Sequence, residues 1–317
     1  MEKDKDAVAE WIYSQVKQDG DKMPIGSYGY IFSRFGSKYT CGVEPLLYKN
    51  EKEQVRLHAV YILRNAAKND EKAVDILLKA LENDLSHKVK AECIGALNNL
   101  WVKEADEKII KYLNSDSSEL RMNAIQFFWS HQSEKALEPL KARLDKENEY
   151  DAGYWLSLTL CKYPNFTIKE LITHKNAGIR CGALASAAKQ FQNDKEVHKI
   201  IVDRLDLEKD APCRYMIALC LAEAKEPRCV PIFIETLKEK KNSEYSNIFT
   251  DLRVSASSRL GMLTELPFYV TDDDLWLARY EKFDRYARVA KLYEEYWEAN
   301  KTRIHYDEKK YQFVVKE

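Results

Sequence analysis

The sequence predicts an all-α chain built as a stack of helical hairpins, and three observations lead there. The 317 residues are 45% hydrophobic and 32% charged, with only 10 Gly and 8 Pro, which favours helix over a many-turned β-architecture. A nine-residue apolar pattern then recurs along the chain. It starts at Val55, Val89, Leu120, Ala152, Ile179, Cys213 and Leu252, in steps of 34, 31, 32, 27, 34 and 39 residues. Finally, a second apolar pattern follows most copies and ends on Leu81, Leu113, Leu144, Leu205 and Leu237. Two helices per unit, neither able to bury its apolar face alone, imply neighbours that bury each other.

In chain order, residues 5–19 read as one helix with Val8, Trp11, Ile12 and Val16 inside. Residues 25–42 are rich in Gly and aromatics, with Tyr28, Tyr30, Phe32 and Tyr39 among them. Each copy of the repeated pattern is a helix. At about 100° per residue, positions 0, +4 and +8 share an apolar arc, whereas +3 lies opposite and is usually polar or small (His58, Glu92, Asn123, Gly182, Ser255). Ala59, Ala124, Ala183 and Ala256 all occupy +4, where helices should approach closely. Ser86 and Ser117 are placed to cap the second and third copies, and Pro212, just after Asp210, fits a first helical turn. Residues 275–300 read as a long helix with Trp276, Phe283, Ala290 and Trp297 every seven and Tyr280 and Ala287 between them. Thr271 and Asp274 would cap it. Ile304–Tyr306 and Tyr311–Phe313 flank a charged turn and suit a small β-hairpin.

The apolar-Arg-x-x-Ala-apolar runs Val55-Arg56…Ala59-Val60, Leu120-Arg121…Ala124-Ile125 and Ile179-Arg180…Ala183-Leu184 resemble HEAT repeats, especially the short-unit, phycobilisome-lyase-like branch. The resemblance spans about residues 52–262 and implies a right-handed α-solenoid of about seven units. It leaves residues 1–51 as an N-terminal helix and capping segment, and residues 263–317 as a C-terminal capping helix and tail. It also implies a scaffold or adaptor role, with second helices lining a concave face.

Fifty basic residues against 51 acidic ones give a net charge of −1, so no global field draws in nucleic acid or an anionic membrane. Residues 1–19 lack the apolar core of a signal peptide and no run is long enough to cross a bilayer, so a cytoplasmic chain is expected. Seven Cys without CxxC spacing suit small buried hydrophobes in a reducing compartment. Six His without HxxxH spacing, and no phosphate-cradling or nucleophile-elbow motif, leave no expected catalytic residue, metal or cofactor.

One basic residue recurs at +1, as Arg56, Lys90, Arg121, Arg180, Arg214 and Arg253. At about 100° it falls inside the apolar arc, where a cation needs a partner, so a structural ladder paired with an Asp or a carbonyl is expected. The fourth unit departs from this pattern. It has the shortest step, Gly153 replaces the ladder cation, and Trp155 stands at +3 with Tyr150, Tyr154 and Trp129 near in sequence. Trp155 is either an interface anchor or a filler of a packing gap.

These features point to a non-enzymatic protein-binding scaffold or adaptor, an immunity-type inhibitor included, with another protein as partner. The alternatives are a nucleic-acid-binding protein related to HEAT-like alkylpurine DNA glycosylases, echoed only by Trp155 with Asp151, or a tetrapyrrole lyase or isomerase suggested by the repeat branch alone.

Overall fold

The computed structural model describes residues 2–19, 22, 42–48, 52–66, 70–164, 166–188, 194–239, 251–264, 266 and 285–316. Tyr28, Tyr30, Phe32, Tyr39, Cys41, the Thr271–Asp274 cap and residues 275–284 of the long C-terminal helix lie outside them. Two compact units are formed, residues 1–147 and 148–317, so the boundary falls just before the shortened fourth repeat.

In the first unit, α1 (Glu2–Asp19) and α2 (Glu44–Tyr48) precede the repeats. The buried stripe of α1 is Ala9, Ile12 and Val16, whereas Val8 and Trp11, expected inside, are exposed. Those three residues occupy one face at i, i+3 and i+7, and Val8 and Trp11 fall off its edge. The repeats follow as α3 (Glu53–Ala66) with α4 (Glu71–Asn83), α5 (His87–Asn99) with α6 (Asp106–Ile109), and α7 (Ser118–His131) with α8 (Leu137–Arg143). The second helices of the latter two hairpins are short and bracketed by 3-10 turns, Lys103–Ala105 and Ile110–Asn114 around α6, Glu134–Ala136 and Leu144–Lys146 around α8.

The second unit continues with α9 (Tyr150–Leu160) and α10 (Ile168–Ile172), α11 (Ala177–Ala187) and α12 (Lys195–Leu205), then α13 (Ala211–Glu223) and α14 (Cys229–Lys238). It ends with α15 (Leu252–Leu263), α16 (Arg285–Asn300) and an antiparallel hairpin of β1 (Ile304–Asp307) and β2 (Gln312–Val315). The hairpin pairs Ile304 with Val315 and Asp307 with Gln312. Its turn is held by the Asp307 carboxylate, which accepts from the amides of Lys309 (2.8 Å) and Lys310 (3.2 Å). In α16 the buried face is Tyr286, Val289, Ala290 and Tyr293, and Ala287 is exposed.

Helix starts are where cap chemistry places them. Ser86 accepts from the amide of Val89, Ser117 from Leu120 and Asp210 from Cys213. Asp70, Asn176, Asp194 and Asp251 cap α4, α11, α12 and α15 in the same way. Positions 0, +4 and +8 are buried in every copy, from Val55, Ala59 and Leu63 to Leu252, Ala256 and Leu260. Position +3 is only partly the outer face expected: Ser255 is exposed, but His58 is 2% exposed, Gly182 is buried, and Glu92, Asn123 and Trp155 are half-buried. Within each unit first helices pack on one another, so much of the side opposite the core meets the neighbouring first helix instead of water. A β-carbon on Gly95 of α5, for example, would lie 3.5 Å from Asn123 Oδ1 of α7.

Ala124 is fully buried in that series. Ala124→Phe should overpack the α7 junction and cost about 1–3 kcal/mol or more, read as a lower urea midpoint at unchanged slope.

Candidate functional site

The +1 cations lie among carboxylates and carbonyls. Arg121 forks onto Glu147, with Nε to Oε2 and Nη2 to Oε1 both at 2.9 Å, while its Nη1 donates to the carbonyls of Ser115 (2.9 Å) and Asp116 (3.0 Å). Arg143 adds a third guanidinium bond to Glu147 at 3.0 Å. The second unit repeats this arrangement. Arg180 forks onto Glu208 at 2.8 and 2.9 Å, donates to the carbonyls of His174 and Lys175 at 2.9 Å, and Arg204 joins at 3.1 Å. Burial pushes the Glu208 carboxyl up. The Arg180 hydrogen bonds, the Asp210 amide and the nearby charge of Arg180 more than offset this and hold it at about 2.

The other ladder members are looser. Arg56 forks onto Asp84 at 2.8 and 3.2 Å. Lys90 reaches only the Glu82 carbonyl, at 3.4 Å. Arg214 pairs with Glu235 and donates to the carbonyls of Leu205 and Glu208. Arg253 forks onto its own helix cap, Asp251, and lies 4.5 Å from the Tyr286 ring centroid.

The departure in the fourth unit has a packing correlate. A β-carbon on Gly178 would collide with the Tyr150 carbonyl, one on Gly182 with the Tyr154 carbonyl, and one on Gly153 would lie 3.1 Å from Asn176 Oδ1 and Ile179 Cγ1. Helices α9 and α11 therefore meet nearly backbone to backbone, which only glycine permits.

Of the candidate anchors, Tyr150, Tyr154 and Trp155 lie on α9, all half-buried. The rings of Tyr154 and Trp155 meet edge-on at 5.9 Å, and Tyr150 donates to Asp210 Oδ1 at 3.3 Å, tying α9 to the cap of α13. Burial, then the Cys181 thiol, pushes the Tyr154 hydroxyl up to about 12. Asp151, one turn before Trp155, has a buried Oδ1 without a hydrogen-bond partner. Trp129 is half-buried on α7, in the first unit. The described cysteines are free thiols, all buried except the half-buried Cys161. Among the described residues no cluster of His, Cys, Asp or Glu could hold a metal ion.

Two residues that sequence reasoning passed over stand out in the first unit. Trp101 is 60% exposed and has a left-handed backbone, φ 62°. Its ring lies 4.7 Å from that of His131, which stacks on Phe127 at 4.1 Å. Both ring nitrogens of His131 are buried without a partner, and burial lowers its pKa. No sequence motif marks them. The one available signal was Leu100-Trp101-Val102, a turn tryptophan where a helix usually ends on Gly or Asn.

Paired helices in series, with first helices stapled by a buried arginine, define a helical-repeat protein. Residues 74–156 match the family model of HEAT repeats, and over that stretch the chain is similar to them. The chain is also similar to a crystal structure described as an engineered protein, at 16% identity over 83% of this chain and 82% of that one, with a TM-score of 0.39. No curated protein matches it. Among the described residues no helix is long and apolar enough to cross a membrane.

Proposed function

We propose that the chain is a non-enzymatic scaffold that binds another protein through the surface of its repeats, with Trp155, Tyr154, Tyr150 and Trp129 as candidate anchors. The observation that favours protein over nucleic acid is the placement of the repeated cations. Arg121, Arg180 and Arg253 are 6%, 8% and 9% exposed and forked onto carboxylates, so the most regular basic feature of the sequence faces away from any phosphate backbone. The second helices support the same reading with mixed, mutually paired charges: Lys108 with Glu82 (2.6 Å), Lys135 with Glu107 (2.5 Å), and Lys238 with Glu294.

Affinity capture on the immobilised chain tests this. A protein retained above controls is the expected result; salt-dependent retention of DNA in its place would overturn it. With that partner in hand, Trp155→Ala should weaken binding by about 2 kcal/mol or more while the variant stays folded. A fall in the unfolding free energy of about 3 kcal/mol or more, with binding lost in proportion, would assign Trp155 to packing alone.

A further inference from the structure

The turns ending α5 and α7 carry features that repeat packing does not require. Each is closed by a non-glycine residue with a left-handed backbone, Trp101 at φ 62° and Gln132 at φ 51°. A bulky residue rarely adopts that conformation, and here it holds an indole largely in solvent. Directly against the indole lies His131, 9% exposed, with neither nitrogen hydrogen-bonded. Beside them opens a cleft of about 530 Å³, walled by Lys103, Glu104, Asp106, Glu107, Glu134 and Lys135. Three of those residues, Asp106, Lys103 and Glu104, are close enough for their charges to act on the imidazole. Asp106 Oδ1 is also buried without a partner.

Unmade hydrogen bonds on buried groups are costly, and a small cluster of them bordering a cleft is a site that a ligand can complete. The charge balance selects the ligand. Lys135 pairs with Glu107 at 2.5 Å, which leaves Glu104, Asp106 and Glu134 against Lys103 alone. An anion would face three carboxylates. A cation would find a buried carboxylate oxygen without a partner, an imidazole lone pair and an exposed indole.

We propose that this cleft binds the cationic head of an arginine or lysine side chain presented by a partner protein, with Asp106 and His131 accepting its N–H groups and Trp101 covering it. The inference rests on the protein-binding reading above and names what the partner must offer at this place.

The test uses the full chain and four capped pentapeptides, acetyl-Gly-Gly-X-Gly-Gly-amide, with X as arginine, lysine, norleucine or glutamate. Nuclear magnetic resonance follows the Trp101 indole N–H and the His131 ring nitrogens at pH 7.5. The arginine or lysine peptide should shift both signals saturably, and the norleucine and glutamate peptides should not. Asp106→Asn, which keeps the side-chain shape, should weaken the cationic peptide by about tenfold or more, and so should Trp101→Ala. Urea midpoints near that of the parent chain show that both variants remain folded. Absence of saturable shifts, an equal response to norleucine, or unchanged affinity in folded Asp106→Asn would each overturn the proposal. A partner captured as described above, together with a silent cleft, would leave the scaffold reading standing; a responsive cleft without any captured protein would do the reverse.

Discussion

Glu208→Gln should destabilise the second unit by about 3–5 kcal/mol, because it leaves two guanidinium groups around a neutral amide in a buried site. Glu208 is 3% exposed and takes both Arg180 bonds, the Arg204 bond and the amides of Lys209 and Asp210. The glutamine keeps the volume but removes the charge and turns a donor toward donors. Glu147→Gln should behave alike in the first unit, where Arg121 and Arg143 share that carboxylate. Glu107→Gln, which touches only an exposed ion pair with Lys135, should leave the urea midpoint where it was. A midpoint equally insensitive to Glu208→Gln would mean that the ladder contributes nothing to stability.

The same carboxylate sets an acid response. Its carboxyl is held at about 2 rather than 4.5, so the native chain takes up this proton less readily than the unfolded one. The stabilisation is therefore complete above about pH 4.5 and is lost as the pH falls through about 2. Unfolding free energy measured across that window should fall less steeply in Glu208→Gln than in the parent chain.

Gly178→Ala should cost about 3 kcal/mol or more, at or beyond the top of the usual range for overpacking. The added carbon would drive into the Tyr150 carbonyl, with the carbonyl carbon 2.8 Å and Cα 2.9 Å away. That obstacle is backbone, so no rotamer change relieves it, and α9 and α11 must move apart. Gly95→Ala is the informative contrast. Its β-carbon would meet only Asn123 Oδ1, at an ordinary 3.5 Å, and a mid-helix glycine is being removed from α5. That variant should gain about 0.5–1 kcal/mol. Urea titrations of the pair decide the matter, since equal effects would show that α9 and α11 do not meet as described.

Much of the fold was legible in the residues. The apolar arc at 0, +4 and +8 identified the buried face of all seven first helices, because helical periodicity is a local property of the chain. The Ser86, Ser117 and Asp210 caps and the 304–315 hairpin are equally local. Part of the ladder chemistry was legible as well. Asp84, Glu147 and Glu208 each stand three residues after a repeat leucine, Leu81, Leu144 and Leu205, a regularity that aligning the second helices would have exposed.

What the sequence by itself determined, then, is the repeated two-helix unit, its inward face and the basic position that needs a partner. Tertiary structure decided which side of the first helix escapes the core, since stacking in series half-buries +3 and places His58 inside. It also decided the use of the fourth unit's irregularity: Gly153, Gly178 and Gly182 matter for what their missing side chains allow α9 and α11 to do. The Trp101–His131–Asp106 cluster belongs to the same category, because it joins two turns whose residues share no motif and come together only when neighbouring hairpins pack. Periodicity reports how one helix divides its faces; which atoms then meet across two helices depends on their approach, and that is set by every side chain in the contact at once.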